Sequence, residues 1–305
     1  MVTRIGTFSS ASALIQASMN IQTMLNQQQT EEASNVKSAT YGGMASGDAG
    51  KLLDIQGQSA RIKADGAAAS AAGAVTQAAY SAIGNINGLA SQVRSQLSAA
   101  LSGTYANGVT PITAQQAQAW LNQLQSQLNT QVAGQYVFGG QATGAPPVNF
   151  SDPSYDPTST PSTPDTAYYS GSPTLRTLTT SDGQTVQISA TASSPGFEEL
   201  ARALKTIAAA PTDPTTLQSA YDLVGQATSD LAETQATIST QAATLSDIST
   251  AATTKTTTLN NLATDINGAD LTTAAVLVSQ YQTQLEALYQ TIGKLSSDSI
   301  LKYLS

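Results

Sequence analysis

The 305-residue chain has no cysteine and no histidine, and only 10% of its residues are charged. The missing cysteine removes thiolate nucleophiles, disulfides, CxxC redox pairs and cysteine-based zinc sites. The missing histidine removes the commonest general base near neutral pH, and with it every Ser-His-Asp arrangement. Ordinary soluble domains carry about 25% charged residues. Here 12 Lys and Arg stand against 20 Asp and Glu, a net charge of −8. So few cations can neutralise few phosphates, which argues against nucleic acid and anionic membrane surfaces as partners. No apolar run approaches the ~18 residues that cross a bilayer, so no membrane insertion is expected. The start, Met1 to Gln16, lacks the continuous apolar core of about 7–15 residues found in a secretory signal, so no cleaved leader is expected.

Proline is scarce in a patterned way. All 11 prolines lie between Pro111 and Pro214, and 10 of them between Pro146 and Pro214. Proline costs about 3 kcal/mol inside a helix. Long helices are thus permitted on both flanks and discouraged in the middle. Length allows about two domains at the usual 100–200 residues each. What fills the chain instead is small and uncharged: 49 Ala, 35 Ser, 41 Thr and 29 Gln, half of all residues.

The C-terminal flank carries the clearest pattern. Alternate steps of three and four from Leu217 reach Ala220, Val224, Ala227, Leu231, Thr234, Ile238, Gln241, Leu245, Ile248, Ala252, Lys255, Leu259, Leu262 and Ile266, most of them apolar. This spacing predicts one long helix packed along a partner, ended by Gly268. A second stripe runs Leu271, Ala274, Val278, Tyr281, Leu285, Leu288, Ile292 and Leu295, and continues to Leu301 and Leu304. The N-terminal flank mirrors it. Ile5, Leu14, Ile21, Met24 and Leu25 predict a helix ending near Tyr41-Gly42-Gly43, and Leu52 to Leu97 predict a second, Ala-rich helix. Asn107-Gly108 and Pro111 mark a turn. Thr113, three residues before Gln116, predicts the cap of a third helix through Ala117, Leu121, Leu124, Leu128 and Val132, with Trp120 in its core.

Between Gly139 and Gly196 the chemistry is that of turns, with Pro146-Pro147, Asp152-Pro153, Asp156-Pro157 and Asp182-Gly183. Two β-prone runs, Thr174–Thr179 and Thr185–Ser189, flank Ser181–Gln184 as a hairpin. Helix is expected to resume after Pro195-Gly196 with Phe197, Leu200, Leu204 and Ile207.

No set of residues forms a reaction centre. Glu31-Glu32 and Glu198-Glu199 are expected on solvated faces. Gly42-Gly43 and Gly139-Gly140 complete no phosphate-binding loop. The reading is a non-enzymatic chain without cofactor or metal. Apolar stripes that reach the chain ends point instead to assembly. Each Leu or Ile contributes about 1.5–3 kcal/mol when covered, and a bare row of them invites aggregation. The ends are expected to pack on each other and on further copies.

Four segments carry a family likeness. Val2-Thr3-Arg4-Ile5-Gly6-Thr7 opens the chain, with Arg4 and Ile5 in an R-I-[ST]-T-like tetrad. Gln135-Tyr136-Val137-Phe138-Gly139-Gly140 closes the third helix, with Tyr136, Phe138 and Gly140 at signature positions. Ala269-Asp270-Leu271 followed by Leu277–Leu285 opens the last helix, and Lys294–Leu304 ends it. Together, in this order, they resemble the flagellin superfamily, and within it the branch of hook-associated protein 3, the hook–filament junction proteins. The segment Lys37–Asp48 departs from the family's pattern, with one Asp and extra glycines where an acidic pair is usual.

The resemblance implies a mainly α fold, with long N- and C-terminal helices paired as an antiparallel, coiled-coil-like bundle and a small β-rich domain inserted in the middle. It divides the chain into an N-terminal assembly helix and turn (1–45), the N-terminal half of the helical core (46–138), a variable β-rich outer domain (139–196), the C-terminal half of the core (197–268) and a C-terminal assembly helix (269–305). It implies an extracellular flagellar subunit exported without a cleaved signal peptide. Its partners would be copies of itself in a ring or helix, hook-associated protein 1, flagellin and an export chaperone. The subunit-packing residues would be Ile5, Leu14, Ile21, Leu25, Leu271, Val278, Tyr281, Leu285, Leu288, Ile292, Leu295, Leu301 and Leu304. Two other readings stand beside this one: filament flagellin itself, and an adhesive filament subunit that binds surfaces through 139–196.

Overall fold

The computed structural model describes residues 2–38, 40–45, 47–103 and 111–304, with the side chains of 2–9 and 296–304 outside the description. The expected Asn107-Gly108 turn and the terminal Ser305 also lie outside the described residues. The described helices are α1 Val2–Ser34, α2 Asp48–Leu101, α3 Ala114–Leu128, α4 Pro195–Ala209, α5 Pro214–Asn267 and α6 Leu271–Leu304. Strands β1 (Gln131–Val132) and β2 (Gln135–Tyr136) pair antiparallel, as do β3 (Thr177–Thr179) and β4 (Thr185–Gln187). The protein is thus mainly helical with two small sheets. It forms two compact units, one of residues 61–254 and one of 1–60 with 255–305.

Local chemistry sets the helix boundaries. The Thr113 side chain accepts from Gln116 N at 3.1 Å and caps α3. Asp213 Oδ2 accepts from Thr216 N at 2.8 Å and caps α5, with Pro214 in the first turn, where a missing N–H costs nothing. Asp270 Oδ1 accepts from Thr272 N at 3.0 Å and Thr273 N at 3.1 Å and caps α6. The first helix ends earlier than the glycines suggest. Asn35 takes a left-handed conformation, φ 58°, directly after Ser34, a turn that asparagine tolerates at a helix end. Tyr41-Gly42-Gly43 form a separate 3₁₀ turn.

Within residues 61–254, α5 buries Leu217, Ala220, Val224, Ala227, Leu231, Ile238, Leu245 and Ala252, the spacing read from the sequence. The core they join includes Ile83, Ile86, Val93 and Leu97 from α2 and Trp120, Leu121, Leu124 and Leu128 from α3. Helix α4 packs against α3 and is buried at every position from Gly196 to Leu204. That corrects the expectation that Glu198 and Glu199 are solvated, since no side of this helix is left to water along that stretch. Glu198 is compensated: Arg202 Nε donates to its Oε1 at 2.9 Å and Nη2 to its Oε2 at 3.1 Å. Glu199 Oε2 is buried without a hydrogen-bond partner.

The expected hairpin is present, with Leu178 opposite Val186. Its paired strands are shorter than the β-prone runs, though Ile188 N still donates to Arg176 O at 2.9 Å beyond them, and side chains of α2 hold the segment at two points. The Asp65 carboxylate on α2 accepts from Ser181 N at 3.1 Å and from its hydroxyl, and the Thr76 hydroxyl donates to Ile188 O at 2.6 Å. The β-rich expectation for 139–196 is met only in part, by this hairpin and the bridge Val148–Tyr169. Phe150, Tyr155 and Tyr168 cluster with ring centroids 4.9–5.8 Å apart.

Candidate assembly interface

In the unit of residues 1–60 and 255–305, α1 packs against α6. The chain reverses between them, because Val36 and Gly268 form an antiparallel bridge where α1 ends and α6 begins. Among the described side chains of α1, those not fully exposed are Ala11, Leu14, Ala17, Ser18, Ile21, Leu25, Gln28 and Glu31, and six of them, Ala11, Leu14, Ser18, Ile21, Leu25 and Gln28, form one row. Along α6 they include Ala274, Val278, Tyr281, Leu285, Leu288, Ile292 and Leu295. Both sets step by three and four residues, so each helix offers one stripe to the other.

The seam is incomplete as a core. Among its described side chains only Ser18, Leu25 and Ala274 are buried; Leu14, Ile21, Val278, Tyr281, Leu285, Leu288, Ile292 and Leu295 are half-buried. Leu271, named by the sequence reading as a packing residue, stays 44% exposed at the first turn of α6. Outside the seam, Ile15, Met19, Met24, Val276 and Tyr289 are each about half exposed or more. Two helices cannot cover both flanks of a stripe; a third or fourth surface is needed for that. The core of residues 61–254 shows the contrast, with Ile83, Leu97, Leu121, Leu204 and Leu231 all at 0% exposure.

Arg4, Ile5, Leu301 and Leu304 belong to α1 and α6, but their side chains lie outside the described residues. Sequence reasoning placed Ala274 in the last stripe but missed Ser18; these are the small residues that sit deepest among the described side chains of α1 and α6. Ser18 goes unnoticed because it is polar, yet its hydroxyl donates to Ile15 O at 2.8 Å and is satisfied within its own helix. The signal that finds it is spacing: Ser18 lies four residues after Leu14 and three before Ile21.

A clasp joins the base of this pair. Lys37 N donates to Asn267 O at 2.8 Å and Ala269 N to Asn35 O at 3.1 Å. The Asn267 carboxamide bridges the same chain segment, accepting from Ser38 N and donating to Ser38 O, both at 3.1 Å. Asp270, next in line, is held below the ordinary carboxylate range by hydrogen bonds from the Thr273 side chain and backbone.

The remaining signature residues do structural work inside the unit of residues 61–254. Phe138 is fully buried and meets Phe197 edge-on at 5.6 Å. Its carbonyl accepts from Ala192 N at 3.0 Å, and the Gly139 carbonyl from Ser172 N at 2.9 Å. Gly140 has φ 62°, and a Cβ there would collide with the carbonyl oxygens of Ser172 and Thr174. Only glycine fits where two segments of chain approach so closely at a positive φ. Tyr136, half-buried, sits in the β1–β2 hairpin opposite Gln131; α3 stops at Leu128, so Val132 and the Tyr136 signature lie in this hairpin and not at the end of the helix as expected.

Among the described residues no three acidic side chains stand together to hold a metal ion, and no helix is long and apolar enough to cross a membrane. No protein-family model and no curated protein matches the chain. Solved structures do. FlgL of Bacillus cereus, the flagellar hook-associated protein 3, matches with a TM-score of 0.54 at 15% identity, over 69% of this chain and 99% of that one. A putative flagellar hook-associated protein from Vibrio parahaemolyticus matches with a TM-score of 0.57 at 14% identity, over 71% of this chain and 96% of that one. At such identities the likeness is one of fold.

Proposed function

We propose that the protein is a structural, non-enzymatic subunit of the bacterial flagellum that joins hook to filament by self-assembly of its terminal helices. The observation that carries this reading is the α1–α6 pair, a regular seam left half covered and flanked by exposed Ile15, Met19, Val276 and Tyr289. The likeness of fold to hook-associated proteins supports the same direction. In this reading the paired helices form a coiled-coil-like bundle whose open flanks are covered by neighbouring copies and by the adjoining hook-associated protein 1 and flagellin. Each half-buried Leu or Ile then gains part of the roughly 1.5–3 kcal/mol of full burial. Repeated around a ring, such gains hold subunits together without catalysis or cofactor. The segment 139–196 would face outward, and the chain would leave the cell by flagellar export.

Electron microscopy of cells lacking the gene tests the proposal. Hooks without filaments, with flagellin shed into the medium, are the expected result. Normal filaments on every hook would overturn it. Copy number separates the junction from the filament: a subunit present in thousands per flagellum is flagellin.

A further inference from the structure

The clasp places an Asn-Gly pair at a helix end, the least hindered dipeptide for one particular backbone reaction. We propose that Asn267 is a site of spontaneous deamidation, kept intact in the folded chain by its bonds to Ser38 and by the engaged N–H of Gly268. This inference does not depend on the flagellar role.

In the reaction the Gly268 backbone nitrogen attacks Cγ of Asn267. A bond forms between that nitrogen and Cγ, the Cγ–Nδ2 bond breaks, and Nδ2 leaves as ammonia with the proton lost from the Gly268 nitrogen. Water then opens the five-membered succinimide at one carbonyl or the other, leaving aspartate or isoaspartate at 267. No oxidant, reductant or cofactor enters. Glycine at 268 offers no Cβ to obstruct the attack and lets the backbone reach the required geometry.

The folded chain obstructs each requirement. The attacking nitrogen is engaged, since Gly268 N donates to Thr264 O at 2.5 Å. The carboxamide cannot turn toward it freely, because both of its polar atoms are held by the Ser38 backbone. The Asn267 carbonyl is fixed by Lys37 N at 2.8 Å. Asn87-Gly88 offers a contrast, because it sits in the interior of α2, and Asn87 Nδ2 donates to Gln235 Oε1 at 2.9 Å. There the helix itself must open before any attack. At Asn267 only the clasp must open, and clasps at element ends open at lower cost than helix interiors.

The product cannot restore the clasp. Aspartate has no donor for the Ser38 carbonyl and brings a carboxylate against it. It also adds negative charge at the C-terminus of α5, where the helix dipole disfavours it, between Asp265 and Asp270 in sequence. Isoaspartate lengthens the main chain by one carbon and breaks the Lys37–Asn267 register as well.

The full chain, held in mildly alkaline buffer with and without urea, gives the test. Peptide mapping by mass spectrometry follows conversion at 267 and at 87. Without urea, conversion at 267 is expected to be slower by at least roughly tenfold, in line with a site that reacts only on local opening. Conversion at 87 is expected to be slower still, and urea should bring the two sites close together. Ser38→Pro, which removes the donor to Asn267 Oδ1, is expected to speed folded-state conversion at 267 and leave 87 unchanged. Equal rates at 267 with and without urea would overturn the proposal, and so would a folded Ser38→Pro chain with the wild-type rate.

Discussion

Gly196 brings the start of α4 so close to α5 that a Cβ on it would stand 2.9 Å from the Leu231 backbone nitrogen and 3.1 Å from the Ala227 carbonyl oxygen. Both are main-chain atoms of a long helix and cannot swing aside. Gly196→Ala must therefore push the two helices apart. Overpacking of this kind costs about 1–3 kcal/mol, against a helix-propensity gain of at most about 1 kcal/mol. The expected outcome is a thermal midpoint for residues 61–254 lower by several degrees, at about 2–4 °C per kcal/mol for a unit of this size. Calorimetry of the full chain measures it. An unchanged midpoint would show that the helices can separate at no cost.

Glu199 makes stability depend on pH. Burial, and then the charge of Asp230, push its carboxyl from the ordinary 4.5 up to about 7. The folded chain thus holds a proton on this group where the unfolded chain has released it. Its contribution is fully present below about pH 4.5, is lost as pH rises to about 7, and is constant above. Asp152, Asp156, Asp213 and Asp270 are held low by hydrogen bonds from neighbouring Ser or Thr; they act oppositely, and only at more acid pH. Glu199→Gln keeps the shape and removes the titration. The variant is expected to have a higher urea midpoint than wild type at pH 8, with the gap closing toward pH 5. A parallel offset at both pH values would refute the assignment.

The helical frame was legible because its signals are local. Pro214 and Gly268 bracket α5, and the steps from Leu217 to Ala252 coincide with its buried face. The end of α1 was misplaced because Asn35, an inconspicuous residue, makes the turn, while the Gly42-Gly43 pair forms a separate short turn. Glu198 and Glu199 were read as surface residues because sequence does not show that α4 is enclosed on all sides. Its compensating Arg202 lies only four residues on, a spacing equally common on exposed helices. The candidate interface was half legible. Its apolar residues, Ala274 among them, stood out by spacing, whereas the polar Ser18 did not. The Asn267–Ser38 clasp joins residues 229 apart, and no local pattern reports such a pairing.

The Asp270 cap has a cost that can be read directly. Its carboxylate accepts from Thr272 N, Thr273 N and, at 2.8 Å, the Thr273 hydroxyl. Asp270→Ala strips all three bonds from the first turn of α6. Loss of such a cap costs about 0.5–2 kcal/mol. In a helix pair so thinly buried, that is expected to appear as faster hydrogen exchange over residues 271–276. Exchange in residues 83–97 of α2, within the enclosed core, should not change. Acceleration in both places would mean that the two units unfold together.

Among the described side chains of α1, Leu25 is the most buried large one, at 9% exposure, and it tests whether the seam serves assembly more than stability. Leu25→Asp places a carboxylate in the stripe against α6 and should separate the pair locally. The core of residues 61–254 has its own buried set and does not include Leu25. The variant is therefore expected to stay soluble and keep the main thermal transition, while losing helix protection in α1 and α6 and failing to enter flagella. Removal of residues 295–305 should act the same way, because Leu295 ends the described seam. Complementation of a deletion strain, scored by swimming and by immunogold labelling at the hook, reads the result. Normal motility from Leu25→Asp would mean that the seam is not the assembly surface. Collapse of the main thermal transition would mean that it is part of the fold's foundation instead.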